Sequence, residues 1–190
     1  MGRSSTASAA PFDAQGVREW WLRLALVLQA PRAVFVALRI DDRESASNRS
    51  EPVLLIVLLA GMALAVASAA STHYGGLDLA VWIFLAGSMT GIAAYWAFGA
   101  ILYGSARVLG SRGSYRRARH VLAFACAPLA LSLVVAPAGR QVFTTVWLAF
   151  VAWSAFLLVV GVRAVHGWTW ARAAAAAAVP VAAAAVLVQI

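Results

Sequence analysis

Arginine is the residue whose type and spacing in this chain point most directly to chemistry. All fifteen basic residues are arginines, and Arg107, Arg112, Arg116, Arg117 and Arg119 crowd between Ser105 and His120. Such a cluster, interrupted by Gly110 and Gly113 and joined by Tyr115, suits the phosphates of anionic lipid heads or an acidic protein face. Each basic residue held near an anionic surface contributes about 1 kcal/mol. Arg107, Arg112, Tyr115, Arg116, Arg117 and Arg119 are therefore the candidate lipid or partner contacts. The same residues can equally do no more than set topology. Other chemistries lack their parts. His73, His120 and His166 are far apart in sequence and have no Cys or carboxylate companions, whereas zinc needs three or four clustered ligands. The single cysteine, Cys126, excludes an intramolecular disulfide. It lies in an apolar run and reads as a packing residue. Ser68, Ser88, Thr90, Ser132, Thr144, Thr145 and Ser154 have no histidine among the apolar runs to act as a base. No lysine exists to complete a phosphate-binding glycine loop. No catalytic set, metal or cofactor is expected.

The elements that must position these arginines are set by composition. Of the residues, 63 % are hydrophobic and 12 % charged, against about 45–50 % and about 25 % in soluble domains. The formal net charge of +8 would suit nucleic acid, but most arginines flank apolar runs and nucleic acid is not expected. Uncharged stretches separate Glu51 from Asp78, Asp78 from Arg107, Arg119 from Arg140, Arg140 from Arg163, and Arg172 from Ile190. A charge at the centre of a membrane helix costs at least about 2.5–3.5 kcal/mol, so the arginines mark where the chain leaves lipid. The spacing predicts five spans, at about 53–71, 79–106, 121–138, 142–162 and 170–190. A span needs about 20 residues, so the second is tilted, protrudes, or is broken near Gly87, Gly91 or Gly99. Pro128 falls inside the third and Pro180 inside the fifth. The run Ala173 to Ala178 is weakly hydrophobic and reads as a close-packing surface that needs neighbouring helices.

Residues 17–40 alternate apolar and basic positions. Trp20, Trp21, Leu24 and Leu28 share a helical face, and after Pro31 so do Val34, Phe35 and Leu38. This predicts a basic amphipathic helix, lying in the membrane interface or packed on the ends of the bundle. Residues 1–16 are small and polar, unlike a cleavable signal peptide, and read as disordered. A polar linker follows over 41–51.

Orientation follows from the arginines. Seven precede Pro52, five lie between the second and third spans, and Arg163 and Arg172 join the fourth and fifth. All fall on one face, and Arg140 alone on the other. The positive-inside rule places the N-terminus and both arginine loops in the cytoplasm and the C-terminus outside. No Asp, Glu, Lys, Arg or His lies deep in an apolar run, unlike the ionisable relays of pumps and coupled transporters. Gly87 and Gly91 form a Gly-x-x-x-Gly pair that lets helices approach closely, within the domain or in a homo-oligomer.

Gly113-Ser-Tyr115, a short spacer and Ala123-Phe-Ala-Cys-Ala-Pro128 together resemble the core of the YIP (Ypt/Rab-interacting) membrane-protein family, in the form its prokaryotic members take. Pro31-Arg-Ala-Val-Phe35 is similar to the segment preceding that family's first span. Gly161-Val-Arg-Ala-Val-His-Gly167 is similar to the turn linking its last two. The resemblance spans roughly residues 30–185. It implies an all-α membrane protein, a five-helix bundle with the N-terminus cytosolic and the C-terminus outside, in a prokaryotic cell membrane. Eukaryotic relatives are non-enzymatic adaptors that engage Rab GTPases. Gly87, Gly91, Pro128, Gly161 and Gly167 are the candidate packing residues. The leading expectation is a non-enzymatic scaffold that meets anionic lipids of the cytosolic leaflet, other membrane proteins or its own copies. The alternative is a permease or channel component for a small neutral or lipophilic solute, with Ser88, Thr90, Tyr95 and Ser132 lining its path.

Overall fold

The computed structural model describes residues 14–39, 50–69, 76–138 and 140–189. Within them the chain forms α1 (Ala14–Gln29), α2 (Pro31–Ala37), α3 (Ser50–Ala69), α4 (Gly76–Val108), α5 (Tyr115–Ala125), α6 (Ala127–Leu131), a 3-10 helix (Ser132–Ala138), α7 (Arg140–His166) and α8 (Trp170–Gln189), and no strand. The protein is all-helical. Four stretches are long and apolar enough to cross a membrane: Ser50–Ser68, Leu77–Val108, Tyr115–Ala138 and Gln141–His166. The fifth, Trp170–Val186, is a shorter apolar helix. The disordered start expected over 1–16 lies mostly outside the described residues, although α1 already begins at Ala14. Most of the 41–51 linker and His73 also lie outside them.

The second segment is one unbroken helix of 33 residues. At about 1.5 Å per residue it is about 50 Å long, well beyond a hydrocarbon core of about 30 Å. Gly87, Gly91 and Gly99, the expected break points, do not break it, because each sits against a neighbouring helix. A Cβ on Gly87 would stand 2.7 Å from Met62 Cα, and one on Gly61 2.7 Å from Gly91 Cα. Only hydrogen fits between these backbones, so α3 and α4 cross in direct main-chain contact. Gly61 is the partner that Gly87 and Gly91 require.

The third segment is where sequence and structure part. It is expected as one helix over 121–138, but helix starts at Tyr115, is interrupted at Cys126, resumes as α6 and tightens to 3-10. Pro128 is the physical cause, since its ring excludes the carbonyl four residues back and it brings no N–H. It is tolerated because it falls in the first turn of α6. In α8 the interruption is repaired. Pro180 cannot donate to the Ala176 carbonyl, and Ser105 Oγ of α4, 2.9 Å from that oxygen and 3.0 Å from Leu102 O, has one proton to share between the two as a substitute donor. Helix α8 therefore passes through Pro180 unbroken.

Helix α7 packs against α2, α5 and α8, and α4 against α3, α5 and α8. The short α2 contributes to the core: Val34, Phe35 and Leu38 are buried, together with Val27 of α1. Phe35 is fully enclosed. A Cβ on Gly161 would lie 2.9 Å from Phe35 Cε1 and 2.9 Å from Val121 Cγ1. Gly161 is thus the socket for Phe35, and α2 docks against the bundle.

Candidate functional site

The loop between α4 and α5 is shorter than the sequence suggests. Only Leu109–Ser114 is irregular, and the flanking arginines stand on helix ends. Gly110, at φ +83°, closes α4: its N–H donates to Arg107 O at 2.9 Å, and the Ser111 N–H to Ala106 O at 2.9 Å. This paired closure needs a left-handed residue, which glycine adopts freely. The Leu109 carbonyl is taken by the Arg172 guanidinium, whose Nε lies 3.0 Å away. A cation there also complements the negative end of α4. Ser114 opens α5, its Oγ accepting the Arg117 N–H at 3.2 Å. Between these caps, Ser111 Oγ accepts the Gly113 N–H at 2.9 Å and meets His166 Nδ1 at 3.3 Å. His166 in turn stacks on Trp168. Three elements hold the loop in one shape.

The arginines divide by environment. Arg119 lies across α4, its guanidinium 3.7 Å from the Trp96 ring centre, 4.7 Å from Tyr115 and 5.1 Å from Tyr95. Gly99 makes room for it, since a Cβ there would overlap Arg119 Cγ. The Tyr115 hydroxyl donates to Trp96 O at 2.9 Å, which fixes the start of α5 against α4. Tyr103 meets Tyr115 edge-on at 5.8 Å. Arg163 lies over Trp170, and Arg172 over Trp168, each at 4.4 Å. Such stacks contribute from about 0.5 kcal/mol in water to about 2 kcal/mol when desolvated. Arg107 bonds Ser111 O at 3.3 Å and is exposed, as is Arg112; Arg116, Arg117 and Arg119 are half-buried. Among the described residues, Arg107, Arg119, Arg163 and Arg172 are held by rings and carbonyl oxygens rather than by carboxylates.

Arg119 and Tyr115 of the expected contact set thus come together, Arg107 lies over Tyr103 at 5.7 Å on the margin of the same rings, and Arg112 stands apart. Trp96, Tyr95, Gly99, Arg163 and Arg172 were not among the expected contacts. Tyr95-Trp96 followed by Gly99 does carry a signal, an aromatic pair at a membrane interface with a gap one turn further on the same face. Of the packing candidates, Pro128 is buried in α6. Gly167, at φ +66°, ends α7 with its N–H on Arg163 O at 2.8 Å.

The four residues expected to line a permeation path stand in different surroundings, and Ser88 Oγ is buried without a hydrogen-bond partner among the described residues. Thr90 is exposed on α4, Tyr95 lies under Arg119, and Ser132 is fully buried with its Oγ donating to Leu129 O at 2.7 Å. A small cavity, with room for about one water, lies beside the loop among Leu102, Tyr103, Ser111, Arg117, Val121 and His166. Among the described residues, no three His, Cys, Asp or Glu side chains gather as metal ligands.

No curated protein and no solved structure matches the chain. The Yip1 domain model matches residues 25–190, which takes in α2, the Tyr115–Pro128 core and the Gly161–Gly167 turn. With that match and its long apolar helices, the chain belongs to the Yip1 domain family of membrane proteins.

Proposed function

We propose that the protein is a non-enzymatic membrane scaffold of the Yip1 type that presents its arginine-rich end to anionic lipids and to partner proteins in the cytoplasm. The carrying observation is that this end is built rigidly yet holds cations that the described residues leave without carboxylates. A loop that served only as a tether would need neither the two caps nor the Ser111–His166 contact. In this reading α8 is the fifth span, the N-terminus is cytoplasmic and the C-terminus lies outside. The direction rests on the crowding of arginines at one end, with Arg140 alone at the other. Helix α1 carries exposed Leu22 and Leu26 beside exposed Arg18, as suits an interfacial helix steadied by α2. The exposed apolar faces of α4 and α7 meet lipid or other membrane proteins, a second copy among them. The test is crosslinking and copurification from native membranes, comparing wild type with a variant carrying Gln at Arg112, Arg116, Arg117 and Arg119. Loss of partners is expected, and an unchanged set would sink the role of this face.

A further inference from the structure

Helix α4 serves as a ruler for depth. Its large apolar side chains are exposed from Leu77 through Val81, Phe84, Met89 and Ile92 to Trp96, and beyond Trp96 the next is Val108. The lipid-facing stripe therefore ends at Trp96. Charge marks the same limits. Asp78 opens the helix and Arg119 lies across Gly99. From Asp78 to Gly99 is about 32 Å at about 1.5 Å per residue, close to the hydrocarbon thickness of about 30 Å. The headgroup layer adds about 5–7 Å on each side. Arg119 falls in that layer. Arg107, eight residues past Gly99, stands about 12 Å further along the helix and clears it.

Arg119 is also prepared for a ligand. The Trp96 and Tyr115 rings lie 3.7 Å and 4.7 Å from its central carbon and 6.1 Å from each other, so they flank it on adjacent sides and leave the rest of its rim of N–H donors uncovered by them. Its Nε is buried without a hydrogen-bond partner among the described residues. The Tyr115 hydroxyl is already engaged by Trp96 O, so the guanidinium is the charged donor this cluster offers. A planar fork of donors at headgroup depth matches two oxygens of a phosphodiester.

We propose that Arg119, held against Trp96 and Tyr115 in the groove left by Gly99, binds the phosphodiester of an anionic lipid in the adjoining leaflet, ahead of exposed Arg107 and Arg112. This deepens the reading of the basic end given above and rests on it. The purified protein is placed in nanodiscs of phosphatidylcholine, or of equal parts phosphatidylcholine and phosphatidylglycerol, and retained lipid is counted by native mass spectrometry. Wild type keeps phosphatidylglycerol in preference. Arg119→Gln weakens that preference about fivefold, the loss expected for one basic residue at an anionic surface. Gly99→Ala, which alters no charge but forces Arg119 off its groove, weakens it comparably. Arg119→Lys keeps the charge without the fork and falls between. The double variant Arg107→Gln, Arg112→Gln loses less of the preference than Arg119→Gln alone, although it removes twice the charge. Equal losses in that double variant and in Arg119→Gln would show a diffuse charge effect and overturn the site. Unchanged retention in both Arg119→Gln and Gly99→Ala would also overturn it. Displacement of the lipid by inorganic phosphate would make it a site for soluble phosphate instead. Partner loss in the four-arginine variant alongside unchanged lipid retention here would leave the scaffold reading standing and remove only this site.

Discussion

Gly87→Ala and Gly104→Ala make the same chemical change in the same helix and have opposite expected outcomes. A Cβ at Gly87 meets Met62 Cα at 2.7 Å, while one at Gly104 meets nothing within 4 Å. Carbon atoms rest at about 3.5 Å or more, so the new methyl is about 0.8 Å too close. The obstructing atoms are main chain, and no side chain can turn aside. Helices α3 and α4 must part by nearly that distance. A radial gap of about 0.5–1 Å forfeits a quarter to a half of the dispersion energy of each separated pair, and overpacked cores lose about 1–3 kcal/mol. Both substitutions gain similar helix propensity, about 1 kcal/mol, which cancels in the comparison. Gly87→Ala is therefore expected to be less stable than Gly104→Ala by about 1–3 kcal/mol. Reversible unfolding in mixed micelles of mild detergent and dodecyl sulfate, followed by circular dichroism, reads the difference. Equal stabilities would refute the main-chain contact of α3 with α4.

Ser105→Ala strips the Ala176 carbonyl of its substitute donor, and an unsatisfied buried carbonyl costs about 1–3 kcal/mol. The cost should largely vanish in a Pro180→Ala background, where residue 180 supplies an N–H; the same detergent titration checks this, and an equal cost in both backgrounds would contradict it. Gly161→Ala should push Phe35 from its socket and loosen α2, seen as faster proteolysis between α1 and α3 while the spans stay helical, and Phe35→Leu should restore part of the protection. Unchanged proteolysis would mean that α2 is held by something other than Phe35.

Charge spacing made much of this architecture legible. Glu51, Asp78, Arg119, Arg140 and Arg163 bracket apolar stretches, because a bilayer excludes charge over a fixed distance, and the helices α3, α4 and α7 occupy those stretches. Pro128 was visible inside the third stretch, which was nevertheless expected as one helix; the interruption falls at Cys126, since the ring acts backwards on the preceding turn. Pro180 lies inside α8 without breaking it. The hydroxyl that stands in for its missing N–H comes from Ser105, and no local pattern connects positions 71 residues apart. The loop was overestimated for a related reason: arginines look like loop residues, but Ser114 and Gly110 place helix ends inside the basic stretch. Gly87 and Gly91 were visible as a small-residue ridge, whereas Gly61 was not, because a lone glycine carries no periodic signal. The cluster at Arg119 depends on a crossing of α4 with α5 that brings Trp96, Gly99 and Tyr115 to one level.

The most direct test of the account is the side of the membrane that the arginine-rich loop faces. On a Cys126→Ser background, a cysteine in place of Arg112, at the exposed tip of that loop, is compared with one in place of Leu77, at the far end of α4. A membrane-impermeant maleimide is applied to intact cells and to permeabilised cells. The account predicts that the cysteine at 77 labels in intact cells and that the one at 112 labels only after permeabilisation. Labelling at 112 in intact cells, with 77 protected, would contradict it.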